Sequence, residues 1–252
     1  MSVSRTELLN TLNDLLQPHL MGDGCPNGLQ IEGKPIIRKI VTGVTASQAL
    51  IDRAVAAEAD AIFVHHGYFW KGEDPCLSGM KKKRIATLLQ HDISLFAYHL
   101  PLDVHPSLGN NVQLAQRLDI KNIENLEGGR ISIALKGHFE TALTPSELAQ
   151  RLDLVLGKSP LVEVAQKALI SSVAWCTGGG QKYIDLAASQ GIDAFITGEV
   201  SEQTIHTARE MNIHFFAAGH HATERFGAQA VGDYLAKTLD VTVEFIDIPN
   251  PA

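Results

Sequence analysis

The stretch Asp60-Ala-Ile-Phe-Val-His-His-Gly67 predicts a buried strand that runs directly into two adjacent histidines. Its apolar run, Ala61 to Val64, is typical of a strand in a parallel sheet. Ligands of such sheets bind at the carboxyl ends of the strands. His65 and His66 fall at such an end, where the turning backbone allows both rings to face one pocket. We therefore hypothesise that the pair binds a metal, with a core or surface histidine pair as the alternative.

The bulk composition describes a globular protein and argues against several function classes. The chain has 252 residues, 45% of them hydrophobic, which suffices for one large domain or two small ones. Its formal net charge is −7, so we expect no non-specific binding to nucleic acid. The N-terminus lacks an apolar signal core, and no apolar run approaches the ~20 residues of a membrane span. The three cysteines are far apart, as in a reducing compartment, and we expect a cytoplasmic protein without membrane contact.

The order of the predicted elements indicates an α/β fold. Residues 36–44 predict a strand, residues 47–58 predict an Ala-rich helix capped by Ser47, and the histidine strand completes a strand–helix–strand unit. The same alternation returns in the second half of the chain. We therefore predict two related α/β units, residues 1–123 and 124–252, with mostly parallel mixed sheets flanked by helices and the ligand site in the cleft between them.

Several connecting segments are also defined by the sequence. Asn122–Arg130 predicts a polar connection, Ile131–Leu135 a strand, and His220–Leu239 one continuous helix. The triple glycine Gly178–Gly180 predicts a tight strand-to-helix turn, with a ligand contact as the alternative. The basic run Lys81–Arg84 predicts a solvated helix face, with a contact to an anionic ligand as the alternative.

An internal repeat relates the two halves of the chain. Residue n of the first half matches residue n + 133 of the second, so that Ile40 falls on Val173. After the loop Tyr68–Met80 the offset becomes 120, so this loop is 13 residues longer in the first half, the difference between the two offsets. We predict two similar units, Ile40–Asp103 and Val173–Glu224, related by an approximate two-fold axis through the ligand site. A shared hydrophobic period is the alternative explanation.

The repeat aligns polar residues at the strand ends. His66 falls on Glu199, and His99 falls beside His220. His220 and Glu224 are four residues apart, which places both on one face at the start of a helix. Side chains typical of metal ligands therefore follow corresponding strands in both halves, with a solvated helix turn as the alternative for the second half.

Four short motifs carry a family resemblance: Cys25-Pro-Asn-Gly-Leu-Gln30, Val64-His-His-Gly67, Tyr98-His-Leu-Pro-Leu-Asp103 and Gly219-His-His-Ala-Thr-Glu224. In order and spacing they resemble the motifs of the GTP cyclohydrolase I type 2 homologue family, also called NIF-three-like proteins. The resemblance covers nearly the whole chain and places it among the shorter members, which lack an additional central domain. It implies a homo-oligomer, a ring of six subunits, with the sites facing the interior. It also implies a dinuclear metal site with five ligands: His65, His66, Asp103, His220 and Glu224.

The ligand types that the resemblance implies define the chemistry. Neutral imidazoles combined with carboxylates suit Fe, Zn, Mn, Co or Ni rather than Ca or Mg, so we expect two divalent transition-metal ions as cofactors. Asp103 or Glu224 would bridge two ions, which lie ~3.5–4 Å apart in such centres. Two ions would lower the pKa of a bridging water toward ~7 and supply a hydroxide nucleophile.

Residues outside the ligand set suggest how a substrate would be handled. His99 is a candidate for proton transfer or for support of a ligand, with a structural cap of the strand end as the alternative. Tyr68, Phe69 and Trp70 are candidates for a pocket wall that stacks on a planar ring.

Two function classes follow from these residues. One is a metal-dependent, cyclohydrolase-like hydrolase acting on a nucleotide-like or other small-molecule substrate. The other is a metal-handling (chaperone or insertase) or regulatory binding protein in which the ions are cargo or signal.

Overall fold

The computed structural model describes residues 2–252 and divides them into two compact units. The first unit contains the chain up to Gly109 and Arg225–Ile248, and the second contains Asn110–Glu224 and Pro249–Ala252. This division differs from the predicted ranges 1–123 and 124–252, because the last helix and the last strand pack on the sheet of the first unit. Among residues 2–252, no helix combines the length and the apolar character that crossing a membrane requires.

The first unit begins with a helix whose start follows the predicted capping pattern. The Ser4 hydroxyl accepts a hydrogen bond from the Glu7 backbone N–H, and Ser47 caps the second helix in the same way through Leu50. The strands of this unit are β1 (Val3–Ser4), β2 (Gly28–Ile31), β3 (Ile36–Ile37), β4 (Lys39–Thr45), β5 (Ala61–His66), β6 (Ser94–Ala97) and β13 (Thr242–Phe245). Its helices are α1 (Arg5–Leu16), α2 (Gln48–Ala56), α3 (Gly79–Gln90), α4 (Leu100–Val104) and α10 (Arg225–Thr238), with a 3-10 turn at Pro18–Leu20.

The main sheet of the first unit has the strand order β13-β4-β5-β6-β2. Strands β13 to β6 are parallel, and β2 is antiparallel at the edge. Apolar side chains cover both faces, with α2 and α3 on one side and α1 and α10 on the other. Strand β5 is buried from Ala61 to His65, as its unbroken apolar run predicts. The parallel strands therefore bring their carboxyl ends to one edge, where β5 ends in His65 and His66.

The second unit is built around a six-stranded mixed sheet in the order β7-β8-β10-β11-β12-β9. Its strands are β7 (Lys121–Asn125), β8 (Leu135–Leu143), β9 (Leu161–Glu163), β10 (Ile170–Cys176), β11 (Ala194–Thr197) and β12 (His214–Ala217). Its helices are α5 (Asn110–Arg117), α6 (Pro145–Leu156), α7 (Ile184–Ser189), α8 (Glu202–Glu210) and α9 (His220–Thr223), with a 3-10 turn at Gln181–Tyr183. Strands β10, β11 and β12 are parallel, and their neighbours pair with them antiparallel.

The predicted repeat is confirmed by strand order and by register. The order β4-β5-β6-β2 in the first sheet corresponds to β10-β11-β12-β9 in the second, with the same directions. Ile40 pairs with Ala61 in the first sheet, and Val173 pairs with Ala194 in the second, which are the positions related by the offset of 133. A shared hydrophobic period alone would not reproduce the register residue by residue, so the alternative explanation is not needed.

A polar contact at the amino ends of the strands is also repeated, and we call it the lysine–aspartate clasp. In each unit an aspartate carboxylate accepts hydrogen bonds from a lysine ammonium and from two successive backbone N–H groups. The first clasp joins Asp60 to Lys34, at 2.8 Å, and to the N–H groups of Arg38 and Lys39. The second joins Asp193 to Lys167, at 2.8 Å, and to the N–H groups of Ser171 and Ser172. All four residues of the second clasp lie at offset 133 from those of the first.

Three segments differ from their predictions. Lys121–Asn125 forms the edge strand β7 instead of a connection, because pairing with β8 stabilises a strand whose side chains are almost all exposed. Strand β8 begins only at Leu135, where the predicted strand ends. The predicted helix His220–Leu239 is interrupted at Glu224, whose φ of −108° and N–H bond to the His221 carbonyl close α9 before α10 begins.

Candidate metal centre

Three histidines of the first unit come together at the carboxyl ends of β5 and β6. His65 and His66 end β5, and His99 follows β6 immediately before α4. The rings of the two neighbours lie 4.5 Å apart between centroids, so the strand end does allow adjacent residues to converge. One nitrogen from each of the three rings lies within 4.8 Å of the others, which is a spacing that could hold a metal ion.

The two strand histidines are oriented by hydrogen bonds at Nδ1. His65 Nδ1 lies 3.1 Å from the Tyr98 carbonyl oxygen, and His66 Nδ1 lies 3.1 Å from Thr45 Oγ1. A carbonyl only accepts, so the proton of neutral His65 is on Nδ1, and Nε2 carries the lone pair. Metal-ligating histidines are commonly held in this way through the second ring nitrogen.

Asp103 lies beside this pair on α4. Its Oδ1 is 3.5 Å from His65 Nε2, and His65 and Asp103 are 0% and 6% exposed. A carboxylate and an imidazole nitrogen facing each other in a dry environment offer a cation one anionic and one neutral ligand. The structure therefore brings His65, His66 and Asp103, together with His99, to one end of the sheet.

The sequence analysis missed Asp23, which orients His99. Asp23 Oδ1 lies 2.7 Å from His99 Nδ1, and its Oδ2 accepts hydrogen bonds from the Leu100 N–H and from Asn27 Nδ2. Burial alone would raise the pKa of Asp23, but the bonds from His99 and Asn27 lower it to about 2. Asp23 precedes the quoted Cys25 motif by two residues, and its link to His99 spans 76 positions, so no local pattern marks it.

The Cys25 thiol near Asp23 is not suited to act as a nucleophile. It is 9% exposed, and burial together with the charge of Asp23 raises its pKa to about 12. A thiol of this kind stays protonated at neutral pH.

The aromatic loop after β5 lies against the histidines. The Trp70 ring is 4.8 Å from the His99 ring in an edge-on arrangement and 6.1 Å from the His66 ring. Phe69 adopts a positive φ of 65°, and its side chain is 38% exposed. Tyr68 instead packs in the core, and its hydroxyl donates to the Ala46 carbonyl. Of the three predicted wall residues, Phe69 and Trp70 therefore remain candidates, and Tyr68 supports the loop.

The second unit carries a compact polar cluster at the carboxyl ends of β11 and β12. Glu199 Oε1 lies 2.7 Å from His220 Nδ1, and Glu224 Oε2 lies 3.2 Å from His220 Nε2. The hydrogen bond with Glu224, followed by the bond with Glu199, raises the pKa of His220 to about 9. Glu224 is 2% exposed. Two carboxylates around one imidazole create a position where positive charge is favoured.

The triple glycine packs directly against this cluster. A Cβ on Gly178 would lie 1.9 Å from Glu224 Oε1 and 3.1 Å from His220 Nε2, and a Cβ on Gly179 would lie 3.5 Å from Glu199. Gly178 also has a positive φ of 64°. The predicted turn is thus confirmed, and its lack of side chains leaves room for the carboxylates.

Two further polar side chains lie outside these clusters. Lys81, the first residue of the basic run, pairs with Glu73 at 3.3 Å and lies over the Phe69 ring, so it braces the aromatic loop. His105 accepts hydrogen bonds at Nδ1 from the backbone of Ser107 and Leu108 and closes the turn after α4. Neither belongs to the polar cluster of its unit.

Comparison with known proteins shows the family to which the chain belongs. The Duf34/NIF3 (NGG1p interacting factor 3) family model matches residues 3–251. A protein of Pasteurella multocida named GTP cyclohydrolase 1 type 2 homolog is 60% identical over 248 residues, 98% of each chain. A solved structure described as protein ybgI, of unknown function, has a TM-score of 0.95 at 52% identity and covers 99% of this chain and 100% of its own. The structure of TTHA1606 from Thermus thermophilus has a TM-score of 0.90 at 31% identity and covers 99% and 100%. This protein therefore belongs to the Duf34/NIF3 family.

Proposed function

We propose that this protein binds two divalent transition-metal ions through His65, His66, Asp103, His220 and Glu224 and uses them to hydrolyse a small planar substrate. The observation that carries the proposal is the pairing of an oriented imidazole with a buried carboxylate in each unit. His65 Nε2 lies 3.5 Å from Asp103, and His220 Nε2 lies 3.2 Å from Glu224.

The donor set fits such ions. Three imidazoles and two carboxylates are the ligands of Fe, Zn, Mn, Co and Ni sites, and differ from the all-oxygen sites of Ca. Asp103 and Glu224 are 6% and 2% exposed, so their charges would be costly to bury without a cation. The carboxylates of Glu224 and Glu199 raise the pKa of His220 for a related reason, because they stabilise the positive charge of the protonated imidazole.

When bound, ions of this type polarise a substrate oxygen and make water nucleophilic at neutral pH. The chain supplies the remaining functions. Asp103 and Glu224 hold negative charge at the site, and His99, fixed by Asp23, is placed to accept or donate a proton at Nε2. Trp70 lies against the rings of His99 and His66, and the exposed ring of Phe69 offers a face to a planar substrate. The name of the curated relatives supports a ring-opening hydrolysis as the reaction class.

A metal-handling protein is the second candidate, and one observation favours it. His220 has a side chain that is 28% exposed, so an ion held there would remain open to exchange with an acceptor. The two candidates differ in outcome, because a hydrolase retains its ions through turnover and a carrier releases them.

Metal analysis of the purified protein tests the proposal. We expect two ions per chain in the wild type, and fewer in Asp103→Asn and Glu224→Gln with the fold unchanged by circular dichroism. Glu202→Gln is the matched control, because the Glu202 side chain is 91% exposed on α8, where it pairs with His206. A full complement of ions in Glu224→Gln would contradict the ligand assignment.

A hydrolysis screen over nucleotides and other heterocycles then separates the two functions. Turnover that disappears in both ligand variants supports the hydrolase. Rapid loss of the ions to a chelating acceptor, without turnover of any compound, supports the carrier.

We also propose that the protein forms the homo-hexamer that the family resemblance implies. Native mass spectrometry measures the state directly. A monomer at micromolar concentration would contradict the assembly.

A further inference from the structure

We propose that Arg130 and Lys182 form a binding site for a phosphoryl group, which brings phosphorylated compounds to the polar cluster of the second unit. That these compounds are substrates rests on the proposed function, whereas the binding of phosphate rests on residues of the second unit alone. Residues 126–134, which connect β7 to β8 and carry Arg130, are called the arginine loop below.

The arginine loop lies at the same edge of the sheet as the polar cluster. Strand β8 is antiparallel to β10, and its first residue, Leu135, pairs with Trp175 near the carboxyl end of β10. The loop that precedes Leu135 therefore lies at the end of β10 that leads into the triple glycine. Strands β11 and β12 run parallel to β10, so Glu199 and His220, which follow them, lie at this edge as well.

Hydrogen bonds fix both ends of the arginine loop. The Glu127 carboxylate accepts bonds from the backbone N–H groups of Ile133 and Ala134. The Tyr183 hydroxyl donates a further bond to Glu127. Asn111, which is 1% exposed, donates from Nδ2 to the Ile133 carbonyl at 2.9 Å. Through Tyr183, the loop is therefore held to the segment that follows the triple glycine.

The middle of the loop presents Arg130 to solvent without a partner. Gly128 and Gly129 have positive φ angles of 75° and 82°, and a Cβ on either would meet nothing within 4 Å. Arg130 is exposed, and its side chain makes no ion pair or hydrogen bond within residues 2–252. The acidic residues near it in sequence are already engaged, since Glu127 holds the loop and Glu124 pairs with a lysine of β8 at 3.8 Å. The charge of Arg130 is therefore available to a ligand.

Lys182 supplies a second cation on the other side of this contact. Its Nζ lies 5.7 Å from the centroid of the Tyr183 ring, and the Tyr183 hydroxyl reaches Glu127 at the foot of the loop. A cation–π contact restrains the lysine without neutralising its charge. Lys182 is exposed and, in the described part of the chain, has no carboxylate partner. Two adjacent segments at one edge of the sheet thus each present a free cation.

The two side chains together match a phosphoryl group. A guanidinium binds two oxygens of a phosphate or carboxylate through its planar fork, and an ammonium acts as a point charge. A carboxylate would be satisfied by Arg130 alone, whereas a phosphoryl group has three acceptor oxygens and nearly two charges and accommodates Lys182 as well. The cations would also offset the repulsion of an anionic compound by Glu199 and Glu224 at the same edge.

A purely structural role for the two cations explains less. In the first unit, Ala49 and Leu50 occupy the positions that correspond to Lys182 and Tyr183 at the offset of 133. The outer neighbour of β4 is the parallel strand β13, so the first unit has no hairpin loop in the place of the arginine loop. The shared scaffold therefore requires neither cation, and a solvated arginine would not require a loop whose end is held by a buried asparagine.

Protection from an arginine reagent tests the site directly. Phenylglyoxal modifies exposed guanidinium groups, and peptide mass spectrometry gives the rate at each arginine of the full-length protein as purified. Relative to chloride at equal ionic strength, we expect inorganic phosphate to slow the modification of Arg130 about threefold when its concentration is about twice the dissociation constant. Arg53 is the matched control and should react equally in both salts, because it is exposed on α2 and its side chain has no partner within residues 2–252. Equal rates at Arg130 in phosphate and chloride would overturn the proposal.

The second cation and the type of anion are tested in the same assay. Lys182→Ala should raise the phosphate concentration that half-protects Arg130 by about threefold, the effect of one exposed charged contact. Lys82→Ala, at an exposed lysine on α3, removes the same charge elsewhere and should leave it unchanged. An unchanged value in Lys182→Ala would overturn the two-cation site. Acetate should protect Arg130 less than phosphate does, and equal protection would overturn the assignment to a phosphoryl group.

The failure of this inference is distinguishable from the failure of the proposed function, because the protection assay depends on neither metal content nor turnover. If Asp103→Asn and Glu224→Gln keep all their ions while phosphate protects Arg130, the proposed function fails and the phosphate site stands. If those variants lose metal and turnover while phosphate leaves Arg130 unprotected, only the phosphate site is overturned.

Discussion

The two units share their scaffold at one end of the strands and differ at the other. At the amino ends, both lysine–aspartate clasps join the carboxylate to a lysine at 2.8 Å and to two backbone N–H groups, and the second adds a bond from the Ser172 hydroxyl. At the carboxyl ends, His66 in the first unit corresponds to Glu199 in the second, and Thr45 corresponds to Gly178. The register fixes where a side chain is presented, and the residue type at that position decides its chemistry. A repeat of this kind therefore separates what holds the fold from what performs the function.

The largest expected effect comes from filling the space that glycine leaves in the second unit. Gly178→Ala places a Cβ 1.9 Å from Glu224 Oε1, so the carboxylate or the turn must move. We expect metal affinity to fall by about 100-fold, at the upper end of what misplaced ligand support costs, together with about 1–3 kcal/mol of stability from the strained φ. Isothermal titration with Zn²⁺ and urea unfolding measure the two effects.

Gly157→Ala is the matched control for this substitution. Gly157 has a φ of 65°, nearly that of Gly178, but a Cβ there meets nothing within 4 Å. It should show the cost of the strained φ alone, with metal affinity unchanged. An equal loss of affinity in both variants would refute the role assigned to the triple glycine.

Breaking the clasps tests whether the shared end is equivalent in energy as well as in geometry. Asp60→Asn and Asp193→Asn should each lower the free energy of unfolding by about 1–3 kcal/mol, because two backbone N–H groups and a lysine lose a charged acceptor. Asp14→Asn, at an exposed position on α1, should change it by less than about 0.5 kcal/mol. Clearly unequal losses of stability in the two clasp variants would show that the repeat is only geometric.

The same clasps predict a pH dependence. Burial would raise the pKa of Asp193, but its bonds to Lys167 and to the Ser172 and Ser171 N–H groups lower it to about 2, and the pKa of Asp60 is lowered by the corresponding bonds. A lowered carboxyl pKa stabilises the fold above the unfolded value of about 4, and this stability is lost as the pH falls from there towards about 2. Urea unfolding at about pH 5 and about pH 3 should show the loss in the wild type and a smaller loss in the two asparagine variants.

A smaller effect distinguishes the two units at one core position. His214 in β12 corresponds to Ser94 in β6, and burial lowers the pKa of His214, with the charge of Lys167 acting in the same direction. The unfolded chain binds a proton below about pH 6.5 that the folded chain does not, so stability should fall as the pH drops through that value. His214→Ser should flatten the slope between about pH 7.5 and 5.5, and an unchanged slope would contradict the assignment.

The smallest effect concerns the aromatic loop, which the second unit lacks. Tyr68→Phe removes the hydrogen bond to the Ala46 carbonyl and should cost about 1 kcal/mol without changing metal affinity. Phe69→Ala, in contrast, should leave stability within about 0.5 kcal/mol because the ring is exposed, and should weaken binding of a planar substrate. Thermal denaturation separates the two, and equal losses would show that both rings belong to the core.

Much of the fold was predictable because its signals are local and periodic. The run Ala61–Val64 is buried as its composition indicates, and Ser47 caps α2 because its hydroxyl reaches the backbone N–H three residues on. Strand β7 was missed for the opposite reason. Its side chains are exposed on both faces, so it has no alternation of apolar and polar residues. Only its pairing with β8 defines it as a strand, and a local sequence pattern does not identify the pairing partner.

The candidate site was predictable to a different extent. His65 and His66 end one buried strand and His220 follows another, and strand ends are recognisable from the sequence. Asp23 was missed because its contact with His99 joins two segments that only the folded chain brings together. The repeat aligned Glu199 with His66. Its contact with His220 Nδ1, however, depends on the positions of two side chains, which a sequence alignment does not give.

The aromatic loop has a consequence for how this scaffold can change over time. It lies between β5, which ends at His66, and α3, which begins at Gly79, while the second unit crosses from Thr197 to Glu202. Strand register is the same on both sides of the two connections, so 13 residues were gained or lost here without shifting any paired position. The length of this loop can therefore change without altering the strand pairing. A lineage could exchange the whole loop, and with it the range of molecules admitted, while the histidines at the strand ends stay where they are.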